Sequence, residues 1–156
     1  MLEFILFLST EEEEILSLIY KAKFVAEENT PLCLLGKKFI GFLKPSQRTI
    51  VICTKNAKEL GRRNNSTIFD DENNKSFTSI YIRRALRHEA VHVAQHCNNG
   101  KLLGLSKIKT LSLNPNKKKA IYRSSKFTGK TAKEYEAYLI EDNPSLVKAY
   151  LRKYCL

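Results

Sequence analysis

The feature that most constrains this chain is a stretch without a helix breaker, from Tyr81 to Cys97, in which two of its three histidines, His88 and His92, stand four residues apart. Four residues of α-helix advance about 6 Å and return to the same face, so as a helix the segment aims both imidazoles in one direction. A helix is expected over about 78–97. Asn98-Asn99-Gly100 should end it, because Asn and Gly supply the left-handed residues at which helices commonly stop. Two imidazoles so placed can converge on one ion, and Glu89, beside the first of them, can hold a water there and accept its proton. In a chain this poor in histidine the spacing argues against accident.

The remaining pattern divides the chain without suggesting a second domain. Ser9 and Thr10 offer N-cap oxygens, the glutamates Glu11 to Glu14 suit the positive end of a helix dipole, and Ile15, Leu16, Ile19, Tyr20 and Phe24 recur at helical spacing; a helix over 10–26 follows. Residues 31–54 change to short apolar runs, Leu32 to Leu35, Phe39 to Leu43 and Thr49 to Cys53, which read as strands, the last two joined as a hairpin. Residues 55–79 are polar and Asn-rich and read as a surface loop, and the sequon Asn64-Asn65-Ser66 within it has no secretory signal to make it functional. After a basic connection over 101–130, helices fill 131–156, the last opened by Asn143 as cap and Pro144 in the first turn. Strands followed by helices give an α+β class: one domain, 1–156, with a small, mostly antiparallel sheet packed against helices. The hydrophobic content of 43%, with eight Phe and seven Tyr, is enough for one core.

Composition also excludes. No stretch reaches the roughly 20 apolar residues of a membrane-spanning helix. The apolar start, Met1 to Leu8, is short, has no basic leader and runs into glutamates, unlike a signal peptide. The four cysteines, Cys33, Cys53, Cys97 and Cys155, lack CxxC spacing, so neither a zinc ribbon nor a redox pair is suggested, and reduced thiols in a cytoplasmic protein are expected. Cys97 reads as a small buried residue rather than a ligand.

A catalytic zinc takes three protein ligands and leaves a fourth position for water, so a third ligand is required. The downstream carboxylates are Glu134, Glu136, Glu141 and Asp142. On a helix, Glu136 shares its face with Ala132, Leu139 and Ile140, whereas Glu134 groups with Lys130, Tyr138 and Glu141. A carboxylate on an apolar stripe calls for a cation, which selects Glu136 and leaves Glu134 as the alternative. His96 lies on the same face as His92 but about 12 Å along the axis from His88, too far for all three to bind one ion, so it is read as neighbouring the ligands or facing substrate. Tyr135, Tyr138 and His96 are the candidates for stabilising an oxyanion.

The segments His88-Glu89-Ala90-Val91-His92 and Glu134-Tyr135-Glu136-Ala137-Tyr138 together resemble the zincin metallopeptidases of the gluzincin type, in which an HExxH helix is followed by a second helix donating a glutamate. With Val93-Ala94-Gln95 continuing the first motif, the chain looks particularly like the minimal zincins of mobile elements and uncharacterised bacterial proteins. The likeness covers about 78–140, and the third His of the metzincin pattern is missing. It implies zinc held by His88, His92 and Glu136, Glu89 as general base and later proton donor to the leaving amine, and a sheet beside the active-site helix whose edge strand pairs with a peptide substrate, a place for which Thr49 to Cys53 is the candidate.

The net charge of +11 favours polyanionic partners, and ten Lys or Arg fall between Lys101 and Lys133 with no acid among them until that point. They connect the two motif segments and, with no aromatic or glycine pattern of a nucleic-acid module beside them, read first as a solvated loop; bordering a cleft, they would suit an acidic substrate or proteins bound to nucleic acid, as for the SprT-like proteases. The function expected is that of a zinc-dependent hydrolase, a metallopeptidase acting on a peptide or protein. The alternative is a basic nucleic-acid-associated protein with a structural or vestigial zinc site.

Overall fold

Ser9 opens the first helix with a reciprocal cap, its backbone N–H donating to the Glu12 carboxylate and its hydroxyl bonded to the same group. In the computed structural model, which describes residues 1–64, 71–105 and 112–156, this helix is α1, Thr10–Lys21. It stops short of the expected 26 because Lys23 adopts a left-handed conformation (φ 63°) and the Phe24 N–H reaches back to the Ile19 carbonyl, a helix stop made without glycine. The chain released there forms a strand, β1 (Val25–Glu28).

Two further strands follow, β2 (Gly41–Lys44) and β3 (Thr49–Ile52), joined by a 3-10 turn at Pro45–Gln47 and a left-handed Arg48. The expected hairpin is present, with Gly41 opposite Ile52 and Lys44 opposite Thr49. The sheet order is β1-β3-β2, and β1 runs parallel to β3. The sheet is therefore mixed rather than mostly antiparallel, because β1 lies where helix was expected. The run Leu32 to Leu35 falls in a 3-10 turn (Pro31–Leu35), not a strand. Thr49 to Cys53 is not an edge: all four residues of β3 are buried between neighbours, Ile50 and Ile52 toward the helices and Val51 toward Cys33 and Phe42. The free edge facing the helices' cleft belongs to β2.

The stretch expected as loop holds α2 (Thr54–Asn64) and the first turns of α3 (Asp71–Cys97). The two helices cross closely at Gly61, where a Cβ would stand 2.7 Å from the Thr78 hydroxyl. Asn65 and Ser66 of the sequon, and Lys107 and Lys109 of the basic connection, lie outside the described residues. α3 is the axis of the molecule and touches α1, α2, β2 and β3, and two of the C-terminal helices. It ends at Cys97 as expected, with Asn99 (φ 55°) and Gly100 (φ 74°) left-handed. Phe4, Ile15, Ile19, Phe24, Ile82, Leu86, Ile140 and Leu151 form the core around it.

The basic connection contains a helix, α4 (Pro115–Thr128), capped by the Asn114 side chain and closed by Gly129 at φ 64°. α5 (Thr131–Ile140) and α6 (Pro144–Cys155) complete the chain, with the Asn143 side chain accepting from the Leu146 N–H as its Asn-Pro pattern suggests. The architecture is α+β, mostly helical. No helix among the described residues is long and apolar enough to cross a membrane.

All four cysteines are paired, Cys33 with Cys53 and Cys97 with Cys155. The expectation of reduced thiols is corrected, and the cytoplasmic placement loses the support it drew from them. Partners separated by 20 and 58 residues leave no short-range spacing to read. The second bridge ties the end of α3 to the end of α6. Thiol titration of the denatured, unreduced protein is expected to find no free thiol; four titratable thiols would overturn the pairing.

Candidate metal centre

α3 turns His88 and His92 toward α5, and their Nε2 atoms come to 3.2 Å from one another. The carboxylate that meets them is Glu134, with Oε2 3.2 Å from His88 Nε2 and Oε1 3.3 Å from His92 Nε2. The three residues form the one group of potential metal ligands of this kind among the described residues, and all lie largely out of solvent. Ligand atoms on a tetrahedral zinc at about 2.0–2.1 Å stand roughly 3.3 Å apart, a spacing matched by the Nε2–Nε2 distance and by the approach of each imidazole to its own oxygen of the Glu134 carboxylate.

The proton positions sharpen that fit. His88 Nδ1 is 2.9 Å from Glu141 Oε2, and His92 Nδ1 is 2.8 Å from Gln95 Oε1. The Gln95 amide is oriented unambiguously, since its Nε2 donates to the Lys133 carbonyl and to Glu136 Oε2. Each neutral ring therefore carries its proton on Nδ1, donating outward, and presents an Nε2 lone pair inward. Two lone pairs and a carboxylate facing one another in a buried site repel unless a cation stands between them. Nitrogen, nitrogen and carboxylate oxygen form a donor set suited to zinc.

Glu136, expected as third ligand, is not at the triangle. It is fully buried, as its apolar stripe implied, but its carboxylate accepts from the backbone N–H groups of Leu103, Gly104 and Leu105 at 2.8, 2.8 and 3.1 Å, and from Gln95. The charge expected to need a metal is met by hydrogen-bond donors instead. The alternative, Glu134, takes the place because the stripe Glu134, Tyr138 and Glu141 faces α3 at His88. Tyr138 packs its ring 4.4 Å from that of His88, and its hydroxyl is 3.0 Å from Ser124 Oγ on α4. Glu141 is held by Arg84 and Lys117 as well as by His88. The sequence reading does not reach Gln95 and Glu141 as orienting groups. The signals for them were present, Gln95 three residues beyond His92 and Glu141 seven beyond Glu134.

The triangle forms part of the floor of a cleft of about 980 Å³, lined on one side by Phe39 to Leu43 and on another by Arg123, Ser124 and Phe127 of α4. Glu89 lies in this floor, 5% exposed, against the backbone of β2: a Cβ on Gly41 would be 2.9 Å from Glu89 Oε1. Burial pushes the Glu89 carboxyl above its ordinary range, with His88 and His92 opposing the rise. Burial likewise pushes the Tyr138 phenol up. His96 lines the cleft too, its ring edge-on to Phe24, and burial together with Arg48 and Lys133 holds it below the usual imidazole value. Tyr135 is 38% exposed and is not part of the cleft wall.

An α+β domain carrying a His-His-Glu triangle is the class these features define. The chain belongs to the family described as a domain of unknown function, DUF8637, whose model matches residues 4–156. Comparison with curated proteins and with solved structures found no match.

Two outcomes follow from the ligand assignment. Glu134→Ala should lose bound zinc outright, while Glu136→Ala should retain about one zinc per chain with affinity reduced roughly 10- to 100-fold through Gln95, and should unfold at lower temperature because three backbone N–H groups, those of Leu103 and Leu105 buried, lose their acceptor. Metal analysis and thermal melts of the two variants check this, and zinc lost only from Glu136→Ala would reverse the assignment.

The metal-free protein should also show a pH signature. Burial disfavours charge on His88, but Glu134 and Glu141 outweigh it and hold the imidazole well above its ordinary value of 6.5. Burial acts in the opposite sense on Glu134, where the two histidines win and hold it below its ordinary 4.5. The His88 contribution to stability is therefore complete below 6.5 and lost as pH rises through the higher folded value, and that of Glu134 is present above 4.5 and lost as pH falls through the lower one. In chelator, the melting temperature should drop as pH rises above 6.5, a drop absent from His88→Gln; equal pH profiles for the two proteins would contradict the pairing.

Proposed function

We propose that this protein is a zinc-dependent hydrolase, a metallopeptidase of zincin-like build, with His88, His92 and Glu134 as metal ligands and Glu89 as general base. The observation that carries the reading is the convergence of two inward lone pairs and a carboxylate beside a second, buried carboxyl group at the floor of an open cleft. A site serving structure alone needs neither the cleft nor Glu89.

Zinc in this triangle would supply Lewis acidity, polarising a substrate carbonyl and acidifying a water molecule. The chain's own residues account for the rest. Glu89, with its carboxyl raised by burial, is a stronger base than an exposed glutamate and accepts the proton of the attacking water. As the carbon–oxygen bond forms and the carbon–nitrogen bond breaks, the same carboxyl returns the proton to the leaving amine. Glu141 and Gln95 hold the two imidazoles in the tautomer that leaves Nε2 free. Tyr138, against His88 and tied to Ser124, is the candidate for stabilising the developing oxyanion.

A peptide is favoured over other hydrolysable substrates by β2. It is the sheet edge that lines the cleft, so its outward backbone groups can pair with an extended chain laid beside Glu89. Gly41 lets that strand approach the carboxyl.

Glu89→Gln is expected to keep its zinc and to lose hydrolysis of an unfolded protein such as casein by roughly 10²- to 10⁴-fold. Metal content and cleavage rate measured on the same preparation decide it, since unchanged cleavage would remove Glu89 from the chemistry.

A further inference from the structure

The cleft sorts its charges. Its acidic lining residues, Glu89, Glu134 and Glu141, are all at most 5% exposed and are committed to the metal centre and its supports. Its cations face the opening, and one group of them stands at the end of the cleft where α3 stops. His96 is one helical turn beyond His92. Lys133 places its Nζ 3.5 Å from where a Cβ on Gly100 would lie, against the turn that ends α3, and Lys130, the residue that caps the start of α5, lines the same cleft. Behind His96, the Arg48 guanidinium stacks over Phe24, the ring that His96 also meets. Among the described residues no carboxylate pairs with His96, Lys130 or Lys133, whereas Arg84 in the same cleft is paired with Asp142.

We propose that His96, Lys130 and Lys133 form a carboxylate-binding subsite of the cleft, so that the substrate presents a carboxylate about two residues from the bond that is cut. The inference rests on the peptidase reading. The spacing follows from the fold: His96 lies about 6 Å along α3 from the ligand His92, and an extended peptide covers that distance in roughly two residues. Lysines on one wall and an imidazole N–H on the other can approach a carboxylate from two sides, the lysine contacts strengthened by charge. The carboxylate belongs either to an acidic side chain or to the end of the peptide chain.

The test uses the zinc-loaded, full-length Glu89→Gln protein, so that substrate binds without turnover. Fluorescence anisotropy compares four labelled peptides of one apolar sequence: an internal Glu, Gln or Lys with an amidated end, and the Gln peptide with a free end. The Glu peptide, the free-ended peptide or both are expected to bind about tenfold tighter than the Gln amide, with the Lys amide weakest. Which of the two gains identifies the source of the carboxylate. The preference should vanish in Lys130→Gln/Lys133→Gln, a variant whose zinc content confirms that the metal centre stands.

Equal affinities, a preference for lysine, no binding of any peptide, or a preference that survives the double substitution would each overturn the subsite. Binding of an oligonucleotide that is lost in the double variant, without discrimination among peptides, would assign the lysines to a polyanion surface instead. The two readings fail separately. Glu89-dependent cleavage that is as fast for the neutral peptide as for the acidic one removes the subsite and keeps the peptidase; carboxylate-selective binding without any cleavage does the reverse.

Discussion

Two hydrogen bonds that point away from the centre decide what the centre can be. His88 gives its Nδ1 proton to Glu141 and His92 gives its own to the Gln95 amide oxygen, so both rings turn a lone pair toward Glu134. Reverse either proton and the three groups become an ordinary hydrogen-bonded cluster. With the protons held outside, the interior is acceptor-only and needs positive charge, from an ion or from protonation of His88. The rest of the molecule serves to keep those two donors fixed.

That support is distributed over distant parts of the chain. Gln95 is oriented by Glu136, and Glu136 is itself anchored by three backbone N–H groups in the turn at Leu103 to Leu105, so the loop after α3 bears on the tautomer of His92. Glu141 sits at the end of α5 between His88, Arg84 and Lys117. α3 is braced near its start by α2, along its length by α1 through the Arg87–Glu12 pair, and at its end by the bridge from Cys97 to Cys155. These braces matter because a metal site misplaced by even an ångström loses geometry that its ligands cannot recover by rotation alone.

How far the sequence discloses this depends on the kind of signal. The His88–Glu89–His92 face, the stop at Asn98 to Gly100, the start at Asn143-Pro144 and the hairpin before Cys53 are local, set by spacing or turn chemistry within a few residues. They were legible. The choice between Glu134 and Glu136 was not, because helical periodicity reports which side chains are buried and not what they are buried against; both are buried, one against imidazoles and the other against backbone donors. β1 was hidden by a left-handed lysine where glycine is the usual marker. α2 was hidden because its segment, though made largely of good helix formers, has only Ala57 and Leu60 as apolar residues and so shows no sustained hydrophobic period. The disulfides join residues that only the folded chain brings together.

The most direct measurement is zinc K-edge X-ray absorption on the protein purified without chelator and reconstituted with one equivalent of metal. Two imidazole nitrogens and a carboxylate oxygen at about 2.0–2.2 Å, with a further light atom completing four-coordination and no sulfur, is the expected result. A spectrum of zinc surrounded by water oxygens alone, or by fewer than two imidazoles, would contradict the convergence of His88, His92 and Glu134 on one ion.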